Sequence, residues 1–331
     1  MNKVKVGVIG TGHLGKIHTK LWKACETAEL IGVYDANPEV ARKVAEENGV
    51  RSFNTQWELI SECDAVTIAA PTSLHYEIAN VCLSADVHCF IEKPITASYP
   101  QAQDIINLAR ERKRIVQVGH VERFNPALAS LKDYAIEPVF IESHRLAQFK
   151  PRATDVSVIH DLMIHDIDIM LSLVKSPVES IDATGVAVIT DTIDIANARI
   201  NFENGAVANL TASRISANPM RKMRIFQKSA YISIDFADQS SEVFTICDEG
   251  EKPEKGSLAT MLGTISEGVR NRNIFFSKPE APKINAIAEE QRSFIDAIIN
   301  GSPIEVSARD AADALMIAEL ISDIISRNGL K

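Results

Sequence analysis

Short apolar runs and amphipathic stretches alternate through the first 120 residues. Val4–Ile9, Leu30–Tyr34, Ala65–Ala69, Val87–Ile91 and Ile115–Val118 are mainly apolar and rich in β-branched side chains. That is the pattern of strands covered on both faces. Between them, Pro38–Asn48, Ser73–Leu83 and Ser98–Arg112 repeat apolar positions at helical spacing. Strand and helix in alternation predict βαβ units around a parallel sheet.

The pattern changes after Gly119. Val139 to Cys247 is mostly strand-like, with Glu203-Asn204-Gly205 as a hairpin turn between Ile193–Phe202 and Ala206–Ile215. A second turn falls at Gln227–Ser229. The expectation is an antiparallel sheet of about five or six strands, interrupted by one helix near Ser157–Val174. Glu249–Pro282 is charged, holds Gly and Pro, and shows no clear period. Two helices close the chain. The first, Asn285–Asn300, is ended by Gly301. The second starts at Ser307, where Ser-Ala-Arg-Asp resembles a capping box with Asp in place of Glu.

Gly10-Thr11-Gly12-His13-Leu14-Gly15 joins the first strand to a helix, the setting in which a GxGxxG motif binds a dinucleotide. The first Gly makes the turn, the second admits the pyrophosphate, and the third lets helix and strand pack closely. Asp35 follows Gly15 by 20 residues, at the end of the second strand. A carboxylate there holds a ribose 2′-hydroxyl and repels a 2′-phosphate, which favours NAD over NADP. Ala36 and Asn37 offer no cation for that phosphate; Arg42 is the nearest one. The expected architecture is therefore α/β. A Rossmann NAD-binding domain spans 1–120. An α+β domain for substrate binding and oligomerisation, with a large, mainly antiparallel open sheet, spans 121–331.

Composition narrows the function. The 331 residues suit about two domains. Net charge of -9 and the lack of a nucleic-acid motif argue against nucleic-acid binding. No window reaches the ~18 continuous apolar residues of a membrane span, and Met1–Gly10 reads as a strand, not a signal peptide. Five cysteines, odd in number and without C-x-x-C spacing, suit reduced thiols in the cytoplasm.

The candidate chemistry lies at two places. Lys93 follows the fifth strand directly, at the sheet edge where α/β proteins bind ligands. Partly desolvated, it could polarise a hydroxyl or exchange its proton. The helix near Ser157–Val174 is apolar on most faces but carries Asp161, His165, Asp168 and Ser172 as one polar stripe. Polar groups on a buried helix need partners or a wet cavity, so the stripe suggests a pocket wall. His165 suits taking a proton from an alcohol, and Asp161, one turn earlier, could orient it or hold a hydroxyl. His160 and His165 are five apart and point in different directions, so no metal site is expected. Ser143–Thr154 holds His144, Arg145, Lys150 and Arg152 and no acid. A diphosphate on the substrate would explain it, as would an exposed loop or a subunit contact. Arg123 and Asn125 are further substrate candidates.

Glu92-Lys93-Pro94, with the N-terminal motif and the later sheet, resembles the Gfo/Idh/MocA oxidoreductases, relatives of glucose–fructose oxidoreductase and inositol dehydrogenase. The resemblance covers nearly the whole chain. It implies a catalytic Lys93, with Glu92 near the nicotinamide ribose. It implies that the P-x-x-x-H segment, through Pro71, Thr72 and His75, borders the cofactor together with Ala70 just before it. It implies that Asp161 and His165 form the D-x-x-x-H motif, although Val158-Ile159-His160 stand where the family has glycines. It also implies a dimer or tetramer built on the open sheet. Val118–Pro126, Ser143–Leu146, Pro151-Arg152 and Asp161–Asp168 resemble one branch more closely, the UDP-N-acetylglucosamine 3-dehydrogenases. That branch implies oxidation of a sugar 3-hydroxyl with NAD, to a ketone that an aminotransferase takes toward lipid A. Two other readings remain open. Another sugar or inositol dehydrogenase would not need the basic segment, and a non-catalytic NAD sensor would not need Lys93, Asp161 and His165 together. Which of Lys93 and His165 is the principal base also stays open.

Overall fold

The computed structural model describes residues 3–150, 156–253, 259–267 and 270–329. The chain forms two compact units, Met1–Val121 with Ile284–Met316, and Glu122–Lys283 with Ile317–Lys331.

The first unit alternates strand and helix: β1 (Val4–Ile9), α1 (His13–Ala24), β2 (Ala28–Tyr34), α2 (Pro38–Asn48), β3 (Arg51–Ser52), α3 (Gln56–Ile60), β4 (Ala65–Ile68), α4 (Thr72–Ser84), β5 (His88–Glu92), α5 (Tyr99–Arg112) and β6 (Val116–Gly119). The sheet order is β3-β2-β1-β4-β5-β6, every pair parallel. Strand order reverses between β1 and β4, which makes the carboxyl edge there the natural crevice for a ligand. Val6, Val8, Val66, Ile68 and Phe90 are fully buried, which is why these strands read as continuous apolar runs. Trp22 on α1 is also buried and donates its indole N–H to Thr67 Oγ1 at 2.8 Å. Cys63, Cys82 and Cys89 are buried too, and burial pushes the Cys63 thiol up to about 12.

The second unit contains α6 (Pro126–Ala129), β7 (Phe140–Leu146), a π-helical turn (Ile159–Met163) that runs into α7 (Ile164–Leu173), β8 (Val178–Val186), β9 (Ile195–Phe202), β10 (Val207–Ser213), β11 (Met220–Gln227), β12 (Ala230–Asp235), β13 (Ser240–Asp248), β14 (Thr260–Glu267) and β15 (Arg270–Ser277). The sheet order is β14-β15-β13-β12-β11-β7-β10-β9-β8. Neighbours are antiparallel except β7 and β10, which are parallel. Nine strands replace the five or six expected. The extra hairpin, β14–β15, lies in the stretch without a clear period, because Met261, Leu262 and Ile265 are all about half exposed. The expected turn is present, with Gly205 at φ 83° and Asn204 Oδ1 accepting from Ala206 N–H at 3.0 Å.

One face of this sheet is apolar and buried, through Ile141, Ile200, Leu210, Met223, Ile225 and Ile232. The opposite face carries a row of rings, Phe140, Phe226, Tyr231, Phe244 and Phe276, with neighbouring centroids 5.0–5.7 Å apart across β7, β11, β12, β13 and β15. Phe226 is 38% exposed. The loop before β9 is pinned by buried Asp194, whose Oδ2 accepts N–H bonds from Val188, Ile189 and Thr190. Burial opposes the charge on Asp194, but those bonds and the Thr190 hydroxyl outweigh it and lower the pKa to about 2.

Helices α8 (Ala286–Asn300) and α9 (Ala308–Arg327) close the chain. Gly301 ends α8 at φ 68°. Ser307 and Asp310 form the reciprocal cap: Ser307 N–H donates to Asp310 Oδ2 at 2.8 Å, and Asp310 N–H to Ser307 Oγ at 3.2 Å. A single boundary near residue 120 would place both helices in the second domain; in the structure Ile284–Met316 belongs to the first unit. Phe294 meets the Phe90 ring edge-on at 5.8 Å, Ile295 joins the same core, and Gln117 Nε2 donates to Glu290 O at 2.8 Å.

Candidate active site

The glycine turn is built by exclusion. Gly10 has φ +87°, and a Cβ on it would stand 2.6 Å from the Ala69–Ala70 backbone. A Cβ on Gly15 would stand 1.8 Å from Gly10 O, so α1 can approach the turn only with glycine there. Gly12 differs, because a Cβ there would meet nothing within 4 Å. A side chain would occupy the open space in front of α1. No side chain caps α1 and its first turn holds no acid, so its leading N–H groups and positive dipole end suit an anion. His13 and Leu14 are exposed beside it.

Asp35 does more than the motif implies. Its Oδ2 accepts Thr11 N–H at 2.7 Å and Thr11 Oγ1–H at 3.0 Å, and its Oδ1 accepts Asn37 N–H at 2.9 Å. The carboxylate therefore ties the glycine turn to the end of β2 and keeps acceptor capacity for a ribose diol. These features fit a dinucleotide.

The next two loops on that edge are joined by a histidine. Pro71 precedes α4 without a side-chain cap, and Thr72 opens the helix. His75 is buried, with Nε2 2.9 Å from Ala70 O and Nδ1 2.9 Å from Pro94 O. Burial lowers its pKa from the ordinary imidazole value, against the pull of the two carbonyls. Both ring nitrogens are thus engaged by backbone. Through these bonds His75 shapes the loops after β4 and β5, the edge that the expected cofactor would border.

Lys93 follows β5 and is partly exposed; its peptide bond to Pro94 is cis. Glu92 is 9% exposed. Its Oε1 lies 2.7 Å from His18 Nε2, and its Oε2 accepts Lys93 N–H at 3.3 Å. His18 was missed by sequence reasoning. The available signal was a polar ring on the buried face of α1, beside Thr19 and Trp22.

In the second unit the polar stripe divides. Asp161 lies in the π-helical turn and His165 in the first turn of α7, both partly exposed. Inserted π turns are frequent at functional sites. Asp168 is 1% exposed and bound by Arg123, at 2.7 Å from Nε and 2.9 Å from Nη2. Ser172 donates to Ile169 O. So Asp168 is buried against a cation, and the Ser172 hydroxyl turns back onto its own helix.

Three of the substrate candidates, Arg123, Asn125 and Arg145, have partners within the second unit. Arg145 points to the buried face of β7, at 4% exposure. Its Nε and Nη2 donate to Asp166 at 2.8 and 3.1 Å, and its Nη1 to Glu122 at 2.9 Å. Burial works against its charge, but Asp166 and Glu122 outweigh burial and raise its pKa above the ordinary arginine value. Asn125 caps α6 by accepting Ala127 N–H at 3.0 Å, and donates to Glu122 at 2.9 Å and Phe236 O at 3.1 Å. Arg123, Asn125 and Arg145 thus brace this unit internally, because buried ionic groups require partners. Arg152 lies outside the described residues; Lys150 is exposed.

Among the described residues, no group of three or more His, Cys, Asp or Glu side chains could hold a metal ion. Among them, too, no helix is long and apolar enough to cross a membrane.

Comparison with known proteins agrees with these features. Residues 4–120 match an oxidoreductase family with an NAD-binding Rossmann fold, and residues 133–233 match the GFO/IDH/MocA C-terminal domain. UDP-N-acetylglucosamine 3-dehydrogenase from Acidithiobacillus ferrooxidans is 38% identical over 307 residues, covering 92% of this chain and 91% of that protein. A solved structure of that enzyme superposes with a TM-score of 0.88 over 99% of both chains, at 35% identity. Myo-inositol 2-dehydrogenase from Thermotoga maritima is 25% identical over 333 residues, 95% of this chain and 94% of that protein.

Proposed function

The chain belongs to the Gfo/Idh/MocA family of NAD-binding oxidoreductases, and on that premise we propose that it oxidises the 3-hydroxyl of UDP-N-acetylglucosamine to a 3-keto sugar. The observation that carries this is the 38% identity over 92% of the chain with an enzyme of that name, against 25% for the inositol dehydrogenase. NAD, when bound, would supply the hydride acceptor. The turn Gly10–Gly15 and the first N–H groups of α1 would hold its pyrophosphate. Asp35 would hold the adenosine ribose, and Glu92 the nicotinamide ribose. Lys93 donates a charge-assisted hydrogen bond to the reacting oxygen as negative charge builds there. Lys93 or His165 takes the hydroxyl proton, and Asp161 positions His165 or a neighbouring sugar hydroxyl. With Arg145 engaged internally, Lys150 and Arg152 are the cations of the basic segment left for the diphosphate. A ketone flanked by a nucleotide-sugar carbon skeleton suits an aminotransferase as the next enzyme, on a route to lipid A. All five cysteines are unpaired, which supports a cytoplasmic setting where thiols stay reduced; cell fractionation reads this directly.

NAD reduction, followed by nicotinamide absorbance, tests the substrate. UDP-N-acetylglucosamine, N-acetylglucosamine and myo-inositol are offered in turn, with an aminotransferase and amino donor present to remove the ketone. Turnover with the UDP-sugar alone is expected. Turnover with a neutral sugar or inositol would replace the substrate and keep the family. NAD binding without turnover would favour a sensor.

We also propose that a second copy of the chain covers the ring row on the open sheet face. Phe226 is exposed and the other four rings of the row are partly so, a contiguous apolar strip of the kind that marks an interaction surface. Phe226→Glu should lower the mass seen by light scattering to that of a smaller assembly. An unchanged oligomer would place the subunit contact elsewhere.

A further inference from the structure

We infer that His18 and Gln291 are positioning residues for Glu92. On this view the buried chain Gln291–His18–Glu92 holds the Glu92-Lys93 corner in the shape that receives NAD. The inference deepens the proposed role of Glu92 and rests on it.

The hydrogen bonds define one tautomer. Gln291 Nε2 lies 2.9 Å from His18 Nδ1 and 3.2 Å from His18 O. A carbonyl oxygen only accepts, so the Gln291 atom facing it is the NH₂ group. The rotated amide would set oxygen against oxygen. The same NH₂ therefore donates to Nδ1, which must carry a lone pair. The ring proton then sits on Nε2, 2.7 Å from Glu92 Oε1.

The surroundings leave little freedom. His18 is 0% and Gln291 1% exposed. In such a place a carboxylate without a donor is costly. The other Glu92 oxygen faces Gly119, where a Cβ would stand 3.0 Å from Oε2, so any side chain at 119 would crowd it. The Phe90 ring tilts against His18 at 5.2 Å and Phe294 of α8 meets Phe90 at 5.8 Å. Helix α8 thus supplies both the amide that selects the tautomer and the ring that packs behind it. His18 and Gln291 act through Glu92 alone, and Glu92 also accepts the backbone N–H of Lys93.

The test uses the full chain. His18→Leu removes the donor, whereas His18→Gln returns an amide N–H near the Nε2 position. Calorimetric titration with NAD should show affinity falling about tenfold or more in His18→Leu, since a hydrogen bond to a charged acceptor is lost. His18→Gln should recover most of it at the same melting temperature as His18→Leu. Equal NAD affinity in these two variants, whether normal or weak, would overturn the inference. Nitrogen NMR of histidine-labelled wild-type protein, with the His18 signal identified by its loss in His18→Gln, should show the proton on Nε2 and a bare Nδ1. A proton on Nδ1 would also overturn it, whatever the NAD affinities of the variants. Gln291→Glu should place a proton on Nδ1 and weaken NAD. Failure of the UDP-sugar assignment alone would leave both the titration and the NMR result intact.

Discussion

Lys93→Met and His165→Ala should each lower kcat for the sugar by about 10²- to 10⁴-fold, the range of a removed acid–base group, while NAD binds within a few-fold of normal. The argument for Lys93 starts from position. It follows β5 at the carboxyl edge of a parallel sheet, and its backbone N–H is tied to the Glu92 carboxylate. His165 opens α7 immediately after the π-helical turn that contains Asp161. Two groups for one proton can be separated by their pH profiles. The principal base, once removed, takes with it the acidic limb of the kcat/KM curve; the other variant keeps that limb at reduced height. Near-normal turnover in both variants would end the assignment of both.

Much of this arrangement was readable from the chain. β1 and α2 have the ends that apolar spacing predicts, because both sit against a core that punishes a polar intrusion. The Ser307–Asp310 cap and the Gly205 turn follow from local chemistry and stand where expected. What escaped had weak or non-local signals. β3 and α3 are too short to show a period. β14 exposes Met261, Leu262 and Ile265, so its alternation is blurred. Helix α8 has a clear apolar face, yet periodicity says that a face is covered and not by what. Arg145 is the instructive case. Its charge suggests a basic loop, but strand parity was available: in β7 it shares the buried face with Ile141 and Ser143. The partner acids Glu122 and Asp166 were equally present in the sequence, without any sign that they would converge. Of the proposed site, the glycine turn and Asp35 were legible because one short segment carries the whole mechanism. His18 was not, because its two partners are 74 and 273 residues away.

Arg145→Met should destabilise the protein by about 3–5 kcal/mol, the cost of breaking a buried ion pair from one side. Arg145, Glu122 and Asp166 have side-chain exposures of 5%, 6% and 3%, so water cannot replace the lost guanidinium. Asp166 is engaged on both oxygens by Arg145 and would be left with its charge buried. Glu122 would keep only the longer contact to the half-exposed Arg221, at 3.3 Å, and the bond from Asn125. The effect should reach function as well, because Asp166 adjoins His165 on α7 and Arg145 fastens that helix to β7. The second clamp, Arg123 on Asp168, would still hold α7 two residues further on. A partial rescue decides the cause. Adding Glu122→Gln and Asp166→Asn to Arg145→Met removes the stranded charges, so the urea midpoint should rise again relative to Arg145→Met alone. A phosphate-binding Arg145 predicts the reverse pattern: an unchanged urea midpoint in Arg145→Met, a raised KM for the UDP-sugar, and no rescue by the neutralised acids.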